Sequence, residues 1–346
     1  LVVVNDSKSR MEFHLQRSSP RADDEMDRDF EPNELAPSPF FDREFVTLQH
    51  AVASFDIADL TGDGLLDIVY AGRPFEIVSL EQPSPMRFEV GSRKRVRDLT
   101  GGEDGLRVVN IMGDSNPELL TLVDGSIHVW TMEGDALVGE PKPLGSQIGR
   151  FWIEDYNGDG MMDVLGSAGD ADAPLRMWLQ RAGTTTGQTQ LSAEVRFDMP
   201  AITEAEPVRI AGKDAASIAV LERASRRLVL YELTSSMIEG LDLGGERDAQ
   251  AEIRGFGSSS RDRSVAGGDV TGDGLADLVT ASADANGVLL FTQARGTGLK
   301  DGELFSSFKE PKKVALGQWD DDDALEVFVL SEEESIVGVS DYDPRT

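Results

Sequence analysis

Short apolar runs, each followed by a turn and then a second alternating run, recur along the whole 346-residue chain. One such pair lies at 66–70 and, past Gly72-Arg73-Pro74, at 75–80. Others lie at 119–122 with 127–130, 163–165 with 175–179, 218–221 with 228–231, 277–280 with 288–291, and 327–330 with 336–339. The chain opens on a seventh pair at 1–4 and 11–15. Period-two alternation interrupted by Gly, Pro, Asn and Asp predicts antiparallel strands rather than helices. A lone strand pair leaves apolar faces in water, so seven of them are expected to stack into one repeating body.

Six of the pairs are preceded by a nine-residue turn, and three copies of that turn are complete. They read Asp59-Leu60-Thr61-Gly62-Asp63-Gly64-Leu65-Leu66-Asp67, then Asp155-Tyr156-Asn157-Gly158-Asp159-Gly160-Met161-Met162-Asp163, then Asp269-Val270-Thr271-Gly272-Asp273-Gly274-Leu275-Ala276-Asp277. Oxygen-bearing side chains at positions one, three, five and nine can converge on one hard cation if the backbone curls tightly, and glycine at position six permits the curl. An EF-hand loop begins with the same spacing but needs a bidentate Glu at position twelve between two helices. Here position twelve is Tyr70, Gly166 or Thr280, and the flanks are strands, so that reading fails. Asp, Asn and Gly also make good turns without any ion, which a single copy would leave undecided. Three copies in one register favour the cation.

Turn starts at 59, 110, 155, 209, 269 and 318 are separated by 51, 45, 54, 60 and 49 residues. In an all-β chain these are the intervals of propeller blades, each of about four antiparallel strands. The expected fold is an all-β, seven-bladed β-propeller of four-stranded antiparallel blades. It forms a single domain over 1–346 with repeats near 1–50, 51–100, 101–146, 147–200, 201–258, 259–310 and 311–346. The first repeat starts part-way through its pattern, so the two terminal segments are expected to meet and close the ring, and the chain is read as a portion of something longer.

The complete turns resemble the FG-GAP or VCBS repeats of integrin-α-like β-propellers, strongly at three copies and weakly at the rest. In that family the side chains at positions one, three, five and nine and the carbonyl at position seven bind Ca²⁺. The resemblance implies about three calcium sites. The first would use Asp59, Thr61, Asp63, the Leu65 carbonyl and Asp67. The second would use Asp155, Asn157, Asp159, the Met161 carbonyl and Asp163, and the third Asp269, Thr271, Asp273, the Leu275 carbonyl and Asp277. Thr at position three departs from the usual Asp or Asn and is expected to weaken that contact. Lys213 puts a cation where the fourth turn needs a ligand, so that turn is expected to be metal-free. The second turn (Asn110, Asp114, Glu118) and the sixth (Asp320, Asp322, Glu326) are poor candidates.

Composition narrows the function. A chain with 63 acidic and 33 basic residues, net charge −30, repels nucleic acid and anionic membrane surfaces. Three divalent ions would offset only about six of those charges, so most of the acidity is solvated surface. No apolar run is long enough to span a membrane. Without cysteine, disulfides and thiolate metal sites are excluded, which fits a periplasmic or external protein and equally a cytosolic one. His14, His50 and His128, and the matched Trp130, Trp178, Tyr231 and Phe291, are read as strand packing rather than sites. The basic run Arg93-Lys94-Arg95-Val96-Arg97 is expected to pair with neighbouring acids. Acidic, proline-punctuated 20–39, Thr- and Gly-rich 183–192 and Gly- and Ser-rich 240–264 read as loops.

No nucleophile elbow, phosphate-binding glycine loop or zinc-binding helix motif is present. The expected function is a non-catalytic, calcium-stabilised binding or scaffold module of a secreted, periplasmic or surface protein, with a protein or glycan partner. The alternatives are the propeller of a polysaccharide- or phosphoester-acting enzyme, and a lectin. Nothing in the sequence fixes oligomeric state.

Overall fold

The structure, a computed structural model, describes residues 2–21, 37–85, 87–100, 102, 105–113, 116–168, 173–182, 189–197, 199–210, 214–224, 227–231, 251–257, 264–295, 298–320 and 322–343. Almost every regular element is a strand; among the described residues seven sheets of three or four strands are the blades of a seven-bladed β-propeller, and two two-stranded ribbons accompany them. The second blade shows the plan: Ala51–Ala58, Asp67–Arg73, Glu76–Ser84 and Arg87–Arg95 pair in chain order, each antiparallel to the next. Four-stranded blades span 51–95, 106–144, 148–197, 202–257 and 265–306. Among the described residues the first blade (2–47) and the seventh (313–340) have three strands.

Burial follows strand order. Second strands such as Glu118–Val123 and Asp277–Ser282 are buried at every position, which is why they read as continuous apolar runs. Fourth strands such as Arg87–Arg95 lie at the edge and are mostly exposed, so they carry charge and little periodicity. This gradient explains why the sequence reveals the second and third strands and barely hints at the fourth.

By contacts the chain divides into two compact units, 1–110 with 114–146 and 111–113 with 147–346. In the first unit, Met11, Phe13, Ile68, Tyr70 and Leu80 form the core between the first and second blades. Val69, Leu106, Leu119, Trp130 and Met132 form the core between the second and third. The second unit repeats this design three times. Its cores centre on Tyr156, Met177 and Val220, on Leu221, Leu278 and Phe291, and on Val279, Val314 and Val329. Trp130, Trp178, Tyr231 and Phe291 are all buried.

Tyr156 is fully buried and its hydroxyl has no hydrogen-bond partner. A buried polar group without a partner costs about 1–3 kcal/mol. Tyr156→Phe keeps the ring and removes that cost, so urea denaturation is expected to show unchanged or slightly raised stability.

The basic run departs from expectation. Arg93 donates to the Gln49 side chain at 2.6 Å, while Lys94 reaches the Leu137 and Gly139 carbonyls and lies 4.9 Å over the Trp130 ring. These partners are neutral, and the run serves packing between neighbouring blades. Residues 22–36, 183–188, 240–250 and 258–263 of the expected loops lie outside the described residues, as do Asp114 and Lys213.

Candidate metal centres

The six turns join the first and second strands of blades two to seven, and their ninth position is the most constant feature. Asp67, Glu118, Asp163, Ser217, Asp277 and Glu326 are all at most 1% exposed. In the complete turns this carboxylate closes the loop on itself. Asp163 Oδ2 accepts from the Tyr156 N–H at 3.0 Å, and Asp67 and Asp277 accept likewise from Leu60 and Val270, at 2.9 and 3.0 Å. The other oxygen accepts the backbone N–H of a glutamine within the third strand (Gln82, 2.8 Å) or just beyond it (Gln180, 2.8 Å, and Gln293, 2.7 Å). Glu326 retains the first of these bonds, accepting from Trp319 N–H.

Those glutamines escape a sequence reading. They fall 15, 17 and 16 residues after the ninth position because the intervening hairpins differ in length, so no fixed spacing betrays them. Their side chains also hold the turn. Gln82 donates to the Leu66 carbonyl and Gln293 to that of Ala276, both at position eight. Gln180 instead accepts from the Met162 N–H at 2.8 Å and donates to the Ile111 carbonyl at 2.6 Å.

The first-position carboxylate caps the curl. Asp59 accepts from Gly62, Asp63 and Gly64 N–H groups, Asp155 from Asn157, Gly158 and Gly160, and Asp269 from Asp273 and Gly274. Gly64, Gly160 and Gly274 have φ of 87°, 83° and 82°, the left-handed region that the sixth position requires. At position five, Asp63, Asp159 and Asp273 are exposed and each takes one backbone N–H, from Leu65, Met161 and Leu275, and Asp159 also accepts from the Asn157 side-chain amide at 3.0 Å.

Neighbouring turns are stitched together within the second unit. The Asp155 carbonyl accepts from Ala216 N–H at 2.8 Å, and the Asp269 carbonyl from Leu325 N–H at 2.7 Å. In each case a complete turn receives the eighth residue of the degenerate turn that follows. Gly158 makes room for the first contact, since a Cβ there would lie 3.3 Å from the Asp214 Cβ. The degenerate turns thus keep a structural task whatever their ligand content.

Side-chain oxygens converge most closely where the sequence ranked the site low. Among the described residues, Asp320, Asp322 and Glu326 form the group of three acids whose ligand atoms all lie within 4.8 Å of one another. These three also accept backbone N–H groups, from Asp322, Ala324 and Trp319, as the carboxylates of the complete turns do. Each carboxylate has about four lone-pair sites, so these bonds leave acceptor capacity on every Asp. Thr271 Oγ1, at position three, is buried beside the Asp277 carboxylate, whose charged form it helps to favour. Burial pushes Asp163 up to about 7 and raises Asp277, with the backbone N–H bonds pulling the other way. An all-oxygen donor set and buried carboxylates that are costly to ionise fit a hard divalent cation.

No family model and no curated protein matches the sequence. Among solved structures, the chain is similar to one described as BBS1N in complex with ARL6DN, soaked with mercury. The two share 10% identity at a TM-score of 0.56, over 99% of this chain and 87% of that one. At that identity the likeness speaks for the fold alone, and the fold is the β-propeller. Among the described residues no helix is long and apolar enough to cross a membrane.

Proposed function

We propose that this chain is a non-catalytic β-propeller of the FG-GAP or VCBS kind, stabilised by calcium, that serves a secreted or surface protein by binding a protein partner. The observation that carries the calcium reading is the threefold recurrence of one turn whose closing Asp is buried beneath a glutamine clamp. Asp59, Asp63 and Asp67, with Thr61 and the Leu65 carbonyl, would hold the first ion. Asp155, Asn157, Asp159, the Met161 carbonyl and Asp163 would hold the second, and Asp269, Thr271, Asp273, the Leu275 carbonyl and Asp277 the third. The role is structural, because the ions would fasten turns that already knit neighbouring blades. A protein partner is supported by the similar BBS1N structure having been solved in complex with ARL6DN.

At ~1 mM calcium and a dissociation constant of ~10⁻⁴ M, each site would add ~1.4 kcal/mol. Calcium titration by calorimetry is expected to give about three sites, and thermal melts a midpoint that rises with calcium. Asp63→Ala, Asp159→Ala and Asp273→Ala should each delete one bound ion and its share of that rise, while melting close to the parent in chelator. A parent protein whose melting ignores calcium would remove the proposal.

A further inference from the structure

Blades four and five, both in the second unit, leave a cleft of about 280 Å³ between their first strands. Each strand enters it on a β-bulge: Ile148–Glu154 shifts register between Ile148 and Arg150, and Ile202–Arg209 between Ile202 and Glu204. Gly149 and Thr203 are thereby left out of the pairing with the second strand, and both line the cleft. Bulges re-aim side chains and gather beside functional sites. The metal turn at 155–163 leaves the far end of the fourth blade's first strand, so the cleft lies at the end of that blade away from it.

The charges in the cleft select its occupant. The Arg150 guanidinium lies 5.1 Å from the Trp152 ring centroid and pairs with the Glu204 carboxylate, so the wall neutralises that cation itself. Arg223 differs. It is exposed at the rim and gives one N–H to the Ile202 carbonyl at 3.2 Å, and among the described residues no acid pairs with it. A guanidinium carries five donors in a planar fork that matches a carboxylate, and here four of them are left on a chain of net charge −30. The volume falls just below the usual range of small-molecule pockets, about 300–1,000 Å³, and suits a single side chain. We propose that this cleft receives an acidic side chain, Asp or Glu, of a partner protein, whose carboxylate pairs with Arg223. The inference rests on the reading of the chain as a protein-binding module and names one place where the partner is held and the chemistry that holds it.

The probe is the capped peptide acetyl-Ala-Ala-Glu-Ala-Ala-amide, titrated into the 346-residue chain and read by NMR from the Trp152 indole N–H, the one of four indole signals that Trp152→Phe removes. A saturable shift of that signal is expected, with affinity at least tenfold lower for the same peptide carrying Gln in place of Glu, which keeps the shape and loses the charge. Arg223→Gln and Gly149→Leu, at exposed positions, should each weaken binding at least tenfold and leave the melting temperature unmoved. A Cβ built at Gly149 meets nothing within 4 Å, so the leucine occupies the cleft without disturbing the core. Equal binding of the Glu and Gln peptides, or of the Glu peptide to parent and Arg223→Gln, overturns the inference. So does a shift with glucuronate while the peptide is silent, which assigns the cleft to an acidic sugar. None of these failures touches the calcium reading, which is tested by melting at turns away from the cleft, and a parent whose melting ignores calcium leaves the cleft titration just as readable.

Discussion

Asp163→Ala loses roughly 2–5 kcal/mol of folding stability, and loses most of it whether calcium is present or chelated. The carboxylate is wholly buried and accepts two backbone N–H groups, from Tyr156 at 3.0 Å and Gln180 at 2.8 Å. Alanine leaves both donors buried and unmet, at about 1–3 kcal/mol each. The first donor fixes the entry of the turn and the second ties it to the third strand of the blade. Asp163→Asn, which retains an acceptor oxygen, should fall between alanine and parent. The contrast with Asp159→Ala is the informative part, because Asp159 is exposed and its donors, the Met161 N–H and the Asn157 side-chain amide, can turn to water, so its loss registers mainly in calcium. If Asp163→Ala and the parent unfold together in chelator, the backbone clasp has no structural weight.

Trp130→Ala is expected to cost about 3–5 kcal/mol, the range for emptying a large aromatic site in a packed core. Its ring sits between the second and third blades with Leu106, Leu119 and Met132, beneath the Lys94 ammonium. Its indole N–H donates to Thr121 Oγ1 at 2.9 Å, and Thr121 is fully buried, so alanine also strips a hydroxyl of its partner. Trp130→Phe refills most of the volume and should recover most of the loss. Guanidinium denaturation gives both values. A loss below about 1 kcal/mol for alanine would mean that neighbouring blades collapse onto the gap.

Much of the fold was legible because its signals are local. Alternation over five residues sets which side chains face a core, and the turn register is carried by nine consecutive positions. The pairs read at 66–70 and 75–80 correspond to strands Asp67–Arg73 and Glu76–Ser84, and the ninth-position Asp begins the second strand in all three complete turns. The clamp glutamines were not legible, since they are fixed in space but float in sequence. The basic run misled because charge on paper predicts acidic partners, whereas long aliphatic stems bring Lys94 onto an indole and two carbonyls.

The sequence by itself determined the strands, their repeat and the nine-residue turns, because hydrophobic period and glycine placement act over a few neighbouring residues. Only the tertiary structure decided how those turns are used. The second oxygen of Asp163 meets the Gln180 N–H only because the hairpin brings that residue back to the turn, a contact that nothing within the nine residues announces.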